Sequence, residues 1–112
     1  MTVIKSDRSR LRHILDAIET IWEHVKDSAR DKKTRDAVIR QLEIIGEASR
    51  HVSPEIKQKY PHIPWRDIIN MRHQLSHGYF QIDLMEVWDT VDNDLLPLQE
   101  AVLLALKDSN IM

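Results

Sequence analysis

A chain of 112 residues is long enough for one domain, here residues 1–112, that buries roughly two-thirds of its unfolded surface, and too short for separate cofactor and substrate domains. It has no cysteine, which excludes disulfides and thiolate metal sites and fits a reducing, cytoplasmic setting; the first thirty residues lack the apolar core of a signal peptide, and no run approaches the ~18 apolar residues of a membrane span. The formal net charge of -2 conceals a division, with 15 Lys and Arg against 11 Asp and Glu in residues 1–82 and one Lys against seven acids in residues 83–112. Such a chain can offer a basic face to nucleic acid, although mixed, solvated helix faces give the same tally.

Two glycines and regular apolar spacing throughout predict an all-α protein. Ser6 or Asp7 can cap a first helix running to about Lys26, with Leu11, Ile14, Leu15, Ile18, Ile21, Trp22 and Val25 on one buried stripe. Residues 27–33 form a polar connection, and Arg30, Lys32, Lys33 and Arg35 make it the most basic locality of the chain, able to contact phosphates or simply solvated. Thr34 is the expected cap of a second helix carrying Ala37, Val38, Leu42, Ile45, Ala48 and Val52 on one side. Ile39 and Ile44 lie off that stripe, so a second surface of this helix is expected to be covered. Gly46 and Ala48 suggest close approach of another helix, which would leave Glu47 beside a tight contact as a surface glutamate or as a group that orients Arg72 or His77.

Ser53-Pro54-Glu55 is a strong helix start and predicts a short helix over 54–59. Tyr60 to Pro64 reads as a rigid extended connector, because a residue before proline is pushed out of the α region. Pro64 opens a central helix over 64–77 with Ile68, Met71 and Leu75 toward the core and Trp65 and Ile69 on the flanks. Asp83 and Glu86 resemble a capping box for a last helix presenting Leu84, Val87, Trp88, Val91 and Leu95. Pro97 is expected to kink or break it near Asp94, with Leu98, Val102 and Leu106 continuing the stripe. The sum is an antiparallel bundle of four main helices with an additional short one.

The chemistry concentrates at the end of the central helix. Between Met71 and Phe80 stand Arg72, His73, Ser76, His77 and Tyr79, in an R-x4-H-x-Y spacing. At ~100° per residue His77 lies about 180° from Ile68 and about 140° from Arg72, while Arg72 sits only ~40° from Ile68 at the edge of the core stripe. The two groups converge if the helix unwinds near Gly78 or if a two-fold related copy supplies the complementary group. A histidine can take a proton from a ribose 2′-hydroxyl or give one to a leaving 5′-oxygen, and an arginine can fork onto the phosphate. Together they suffice for RNA cleavage by internal attack without a metal or another cofactor. Three other readings stand beside this one: phosphate or nucleotide binding without cleavage, hydrogen bonding across an interface, and a His-x3-His metal site at His73 and His77, for which Gln74 leaves no glutamate base and no third ligand is evident.

The run Val38 to Ala48, then Ile63-Pro64-Trp65, Met71-Arg72, His77-Gly78-Tyr79, Val87-Trp88 and Leu95-Leu96-Pro97-Leu98, resembles the HepT-like toxins of the HEPN superfamily over nearly the whole chain and in order. The resemblance implies an all-α HEPN-type bundle that forms a homodimer and places two R-x4-H-x-Y motifs in one cleft. It further implies a metal-independent endoribonuclease toxin with Arg72 and His77 as catalytic positions and His73, Glu47 and Ser76 in support, acting on RNA such as tRNA or mRNA. A minimal nucleotidyltransferase antitoxin would form a larger hetero-oligomer with it and add AMP to Tyr79. Many members carry aspartate or another polar residue where this chain has Gly78. If the helix ran on through Gly78, Tyr79 would lie ~20° from Ile68 and anchor the bundle; if it ended there, Tyr79 would swing toward the cleft.

Overall fold

The structure, a computed structural model, describes residues 6–26, 30–77 and 84–108, and for Ser76 and His77 the backbone alone. The regular elements among the described residues are all helical, in the order α1 (Asp7–Val25), α2 (Lys32–Arg50), α3 (Pro54–Lys59), α4 (Trp65–His77), α5 (Leu84–Asp89), a π turn (Thr90–Asp94) and α6 (Leu95–Leu106). The last three elements succeed one another without interruption, so the architecture is the expected bundle of four main helices with a short one inserted before α4. No described helix is long and apolar enough to cross a membrane.

The expected caps hold at two of the helix starts. Ser6 accepts a hydrogen bond from the Ser9 amide at 3.1 Å, and Ser53 accepts one from the Ile56 amide at 3.3 Å. The second helix starts earlier than expected: Asp31, not Thr34, is the cap, and its carboxylate accepts from the Thr34 amide at 2.8 Å. That hydrogen bond is the main reason the Asp31 carboxyl is held below its ordinary value, since the ionised form is the better acceptor. A further tie crosses the bundle, where Asp7 accepts from both the amide (2.8 Å) and the hydroxyl (2.6 Å) of Ser53 and so fixes the start of α3 to the start of α1.

The core is one cluster. Leu11, Ile14, Ile18 and Ile21 of α1 meet Val38, Leu42 and Ile45 of α2 and Val91, Leu95 and Val102 of the last rod, all essentially inaccessible to water. Each such side chain contributes about 1.5–3 kcal/mol on burial, before the entropy of ordering the chain is subtracted. Several details differ from the pattern read in the sequence. Trp65 is buried in the core instead of lying on its flank, and the connector before it is a turn, not the extended segment expected: the Ile63 amide donates to the Tyr60 carbonyl at 3.2 Å, and the Trp65 indole N–H donates to the same carbonyl at 3.1 Å, which pins the turn to the start of α4. Leu84 is exposed rather than part of the stripe. The second surface expected on α2 is covered within the chain itself, with Ile39 buried and Ile44 packed partly buried against the core. Asp83 lies outside the described residues.

Pro97 neither breaks nor ends the last helix. The Leu95 amide bonds to the Thr90 carbonyl, five residues back, and the rod widens into a π turn before α6. A proline has no N–H for the carbonyl four residues earlier and crowds it, and an extra residue in the preceding turn relieves that crowding while the helix continues.

Candidate active site at the crossing of α2 and α4

The helix that carries the R-x4-H spacing lies directly on α2, and Gly46 is the reason it can. A Cβ built on Gly46 would stand 2.1 Å from the Cβ and 2.8 Å from the Cγ of Arg72, and 3.1 Å from the Ile68 carbonyl oxygen. The nearest of these atoms is fixed to the backbone of α4, so no swing of a flexible side chain would relieve the overlap. The close approach expected at this glycine is therefore real, and the approaching helix is the one that bears Arg72.

This contact sets the register between Arg72 and Glu47, the residue after the glycine. Arg72 Nε stands 3.4 Å from Glu47 Oε2, an ion pair without hydrogen-bond geometry. The two oxygens of Glu47 occupy different surroundings. Oε1 meets the Arg50 guanidinium at 3.2 Å and His51 Nε2 at 3.0 Å at the surface, whereas Oε2 is buried and has no hydrogen-bond partner among the described residues. Burial acts to raise the Glu47 carboxyl. Hydrogen bonds from His51 and Arg50, together with the charges of Arg50 and Arg72, outweigh it and hold the group below its ordinary value, so Glu47 is ionised at neutral pH.

The arginine is thus held by one edge. Its side chain is one-third exposed, and its terminal nitrogens make no hydrogen bond to another described residue. A guanidinium tethered through Nε keeps its fork available for the two oxygens of a phosphate. Of the two readings of Glu47 given by the sequence, the one in which it meets Arg72 matches the geometry.

The remaining sequence-selected positions lie further along α4. The helix stays regular through His77, so it does not unwind before that position, and Arg72 and His77 remain about 140° apart around its axis and roughly 7.5 Å apart along it. Within one chain the two positions stand on different sides of the helix. His73 is exposed, the side chains of Ser76 and His77 are not described, and Gly78 and Tyr79 lie outside the described residues, as does any choice between the two placements of the tyrosine. No group of three or more His, Asp or Glu residues suited to a metal ion is gathered among the described residues.

Three residues that the sequence did not single out, Arg10, His13 and Arg40, line a recess with Glu47 and Arg72. The basic loop was singled out, and its Arg30 is used otherwise: it forms a two-pronged ion pair with Asp92 and lies 4.6 Å over the Trp88 ring.

Residues 4–104 match the protein family described as "Ribonuclease HepT-like". The chain belongs to this family. Among its relatives, "Probable ribonuclease HepT" of Thermococcus cleftensis is 43% identical over 100 residues, covering 85% of this chain and 91% of the relative. "Putative RNase TTE0752" of Caldanaerobacter subterraneus is 35% identical over 104 residues, covering 88% and 93%. A longer protein of Methanocaldococcus jannaschii, "Gamma-glutamylcyclotransferase and putative RNase MJ0434", is 42% identical over 103 residues, and this HepT-like chain spans 46% of its length. No solved structure matches the chain.

Proposed function

We propose that this HepT-like protein is a metal-independent endoribonuclease, that it acts as the toxin of a toxin-antitoxin pair, and that Arg72 and His77 carry its chemistry. The observation that supports the reading best is the placement of Arg72, seated on Gly46 and tethered to Glu47 with its fork open, in a chain of the HepT-like ribonuclease family. In the proposed step one histidine removes the proton of a ribose 2′-hydroxyl, the 2′-oxygen attacks the adjacent phosphorus, and the bond from phosphorus to the 5′-oxygen breaks. The leaving 5′-oxygen takes a proton from a protonated histidine, and the products are a 2′,3′-cyclic phosphate and a 5′-hydroxyl. Arg72 stabilises the charge that develops on the non-bridging oxygens.

A base and an acid are needed at once, and within one chain Arg72 and His77 stand on different sides of α4. A homodimer that pairs two copies of the motif across a cleft supplies both requirements. Control is proposed through Tyr79, which a minimal nucleotidyltransferase antitoxin would load with AMP, placing a charged phosphate and a base where the RNA backbone must run.

Expression in cells tests the core of the proposal. The wild-type chain should arrest growth and degrade RNA, while Arg72→Ala and His77→Ala, folded by circular dichroism, should do neither. Co-expression of the nucleotidyltransferase should restore growth and add AMP mass to the peptide holding Tyr79. RNA decay that persists in both alanine variants would overturn the assignment of the pair, and neutralisation with the mass added elsewhere would overturn the role of Tyr79.

A further inference from the structure

On the side of Arg72 that faces α1, a recess of about 200 Å³ lies between three helices. Arg10 and His13 of α1, one turn apart, form one wall. Arg40, Glu43 and Glu47, which share a face of α2 at intervals of three and four residues, form the floor, and Arg72 of α4 closes the far side. The recess is smaller than the roughly 300–1,000 Å³ of pockets that enclose whole small molecules, and its size suits a phosphate group of a strand that passes over it.

Its charges favour an anion. Three arginines line it against two glutamates, and both glutamates already meet cations: Glu47 meets Arg72, Arg50 and His51, and Glu43 meets Arg40 at 3.9 Å. Arg10 meets no such carboxylate among the described residues. Its Nε is packed inside without a hydrogen-bond partner, and its side chain makes no hydrogen bond or ion pair among the described residues, so the charge that Arg10 brings to the recess is left for a ligand. Arg72 borders both this recess and the surface of α4, so a strand whose scissile phosphate meets the fork of Arg72 is led toward Arg10.

We propose that this recess is a second phosphate subsite of the ribonuclease, in which Arg10 and Arg40 hold a non-scissile phosphate of the RNA strand next to the one that is cut. The inference rests on the ribonuclease reading and adds to it a requirement on the substrate. At least two consecutive phosphates must be present for full affinity, one for Arg72 and one for Arg10. A dinucleoside monophosphate, with a single phosphate, cannot use the recess.

The test measures affinity for a short single-stranded RNA in the non-cleaving His77→Ala protein, with Arg10→Ala or Arg40→Ala added, over a range of salt. Each should weaken binding about tenfold, the lower end for a hydrogen bond to a charged group, and flatten the salt dependence by about 0.7, the slope of one released single-strand phosphate contact. Because both arginines serve one phosphate, the double variant should flatten it little further. In the otherwise wild-type enzyme, both changes should raise KM for the RNA and leave cleavage of a dinucleoside monophosphate unaltered, which a merely structural role would not do. Arg40 is largely exposed, with 71% of its side-chain surface accessible, so its replacement reads out the subsite even if Arg10→Ala fails to fold. Unchanged affinity and salt slope in Arg40→Ala, with the wild type cleaving RNA, would overturn the subsite alone. A wild type that neither binds nor cleaves RNA would overturn the ribonuclease reading and the subsite with it.

Discussion

Among the arginines that stand beside a carboxylate, Arg30 and Arg72 are held in opposite ways. Arg30 is engaged through its fork: both terminal nitrogens meet Asp92, and the guanidinium lies over Trp88. Its hydrogen bond to Asp92 is the leading reason its own proton is held more firmly than usual and the Asp92 carboxyl lies below its ordinary value. The arrangement fastens the entry to α2 onto the last rod, with both terminal nitrogens already engaged by a carboxylate. Arg72 meets Glu47 only through Nε, on a site where a glycine lets two helices touch. The first arrangement completes an arginine within the fold, whereas the second orients one and leaves its fork free. Basic character alone therefore does not identify a phosphate site; what matters is how many of the donors the fold has already used.

The contrast can be broken most forcefully at the glycine. Gly46→Val inserts a branched side chain where even a Cβ overlaps Arg72 and crowds the Ile68 carbonyl, so α4 must separate from α2. The cost should be at least the ~1–3 kcal/mol of an overpacked core, with RNA cleavage lost along with the drop in Tm. Thermal unfolding and a cleavage assay on the same preparation check this, and an unchanged Tm would show that the crossing is looser than described.

A smaller effect is expected from the tether. Glu47→Gln keeps the shape and removes the charge that faces Arg72, and RNA affinity and cleavage should fall about tenfold, in the range of charge-assisted contacts. Binding assays in a double-mutant cycle should find that the same change costs nothing once Arg72 is alanine. Equal losses in both backgrounds would mean that Glu47 acts elsewhere.

The pH dependence of stability sharpens the same point. Because the Glu47 carboxyl is lowered in the folded chain, its contribution is fully present above the unfolded value of ~4.3 and fades as pH falls through the lower folded value. The stability gap between wild type and Glu47→Gln, followed by urea unfolding, should therefore be flat from pH 7 to 5 and close in more acid solution. A gap that widens on acidification would have the wrong sign. Smallest of all is the change expected from Arg30→Ala, which should leave RNA cleavage as it is and lower stability only by the modest amount typical of exposed pairs. A clear loss of cleavage there would erase the distinction between the two arginines.

The architecture was readable wherever one local signal had a single solution. Ser6 and Ser53 cap where their spacing says, and Gly46 announced a crossing because few other reasons place a glycine inside an amphipathic helix. Readings failed where the sequence offers two chemically equal choices. Asp31 and Thr34 are both good caps three residues apart, and only the completed first turn selects Asp31. Pro97 signals that an ordinary turn cannot hold, but a break and a π turn both answer it. The pair of Arg72 and Glu47 was legible as one option because the glycine placed Glu47 at a contact. Arg10, His13 and Arg40 were not, since charged residues at helical spacing look like a solvated face until three helices bring them together.

The central claim is that Arg72 and His77 cut RNA by internal attack with no metal, and product chemistry tests it most directly. Purified protein in excess EDTA should be given a labelled single-stranded RNA, and the same RNA carrying one 2′-deoxyribose at the mapped cut. The account predicts cleavage of the first to a 2′,3′-cyclic phosphate and a 5′-hydroxyl, none at the 2′-deoxy position, and none by His77→Ala. Cleavage that requires a divalent ion, that proceeds at the 2′-deoxy position, or that leaves a 5′-phosphate would contradict it.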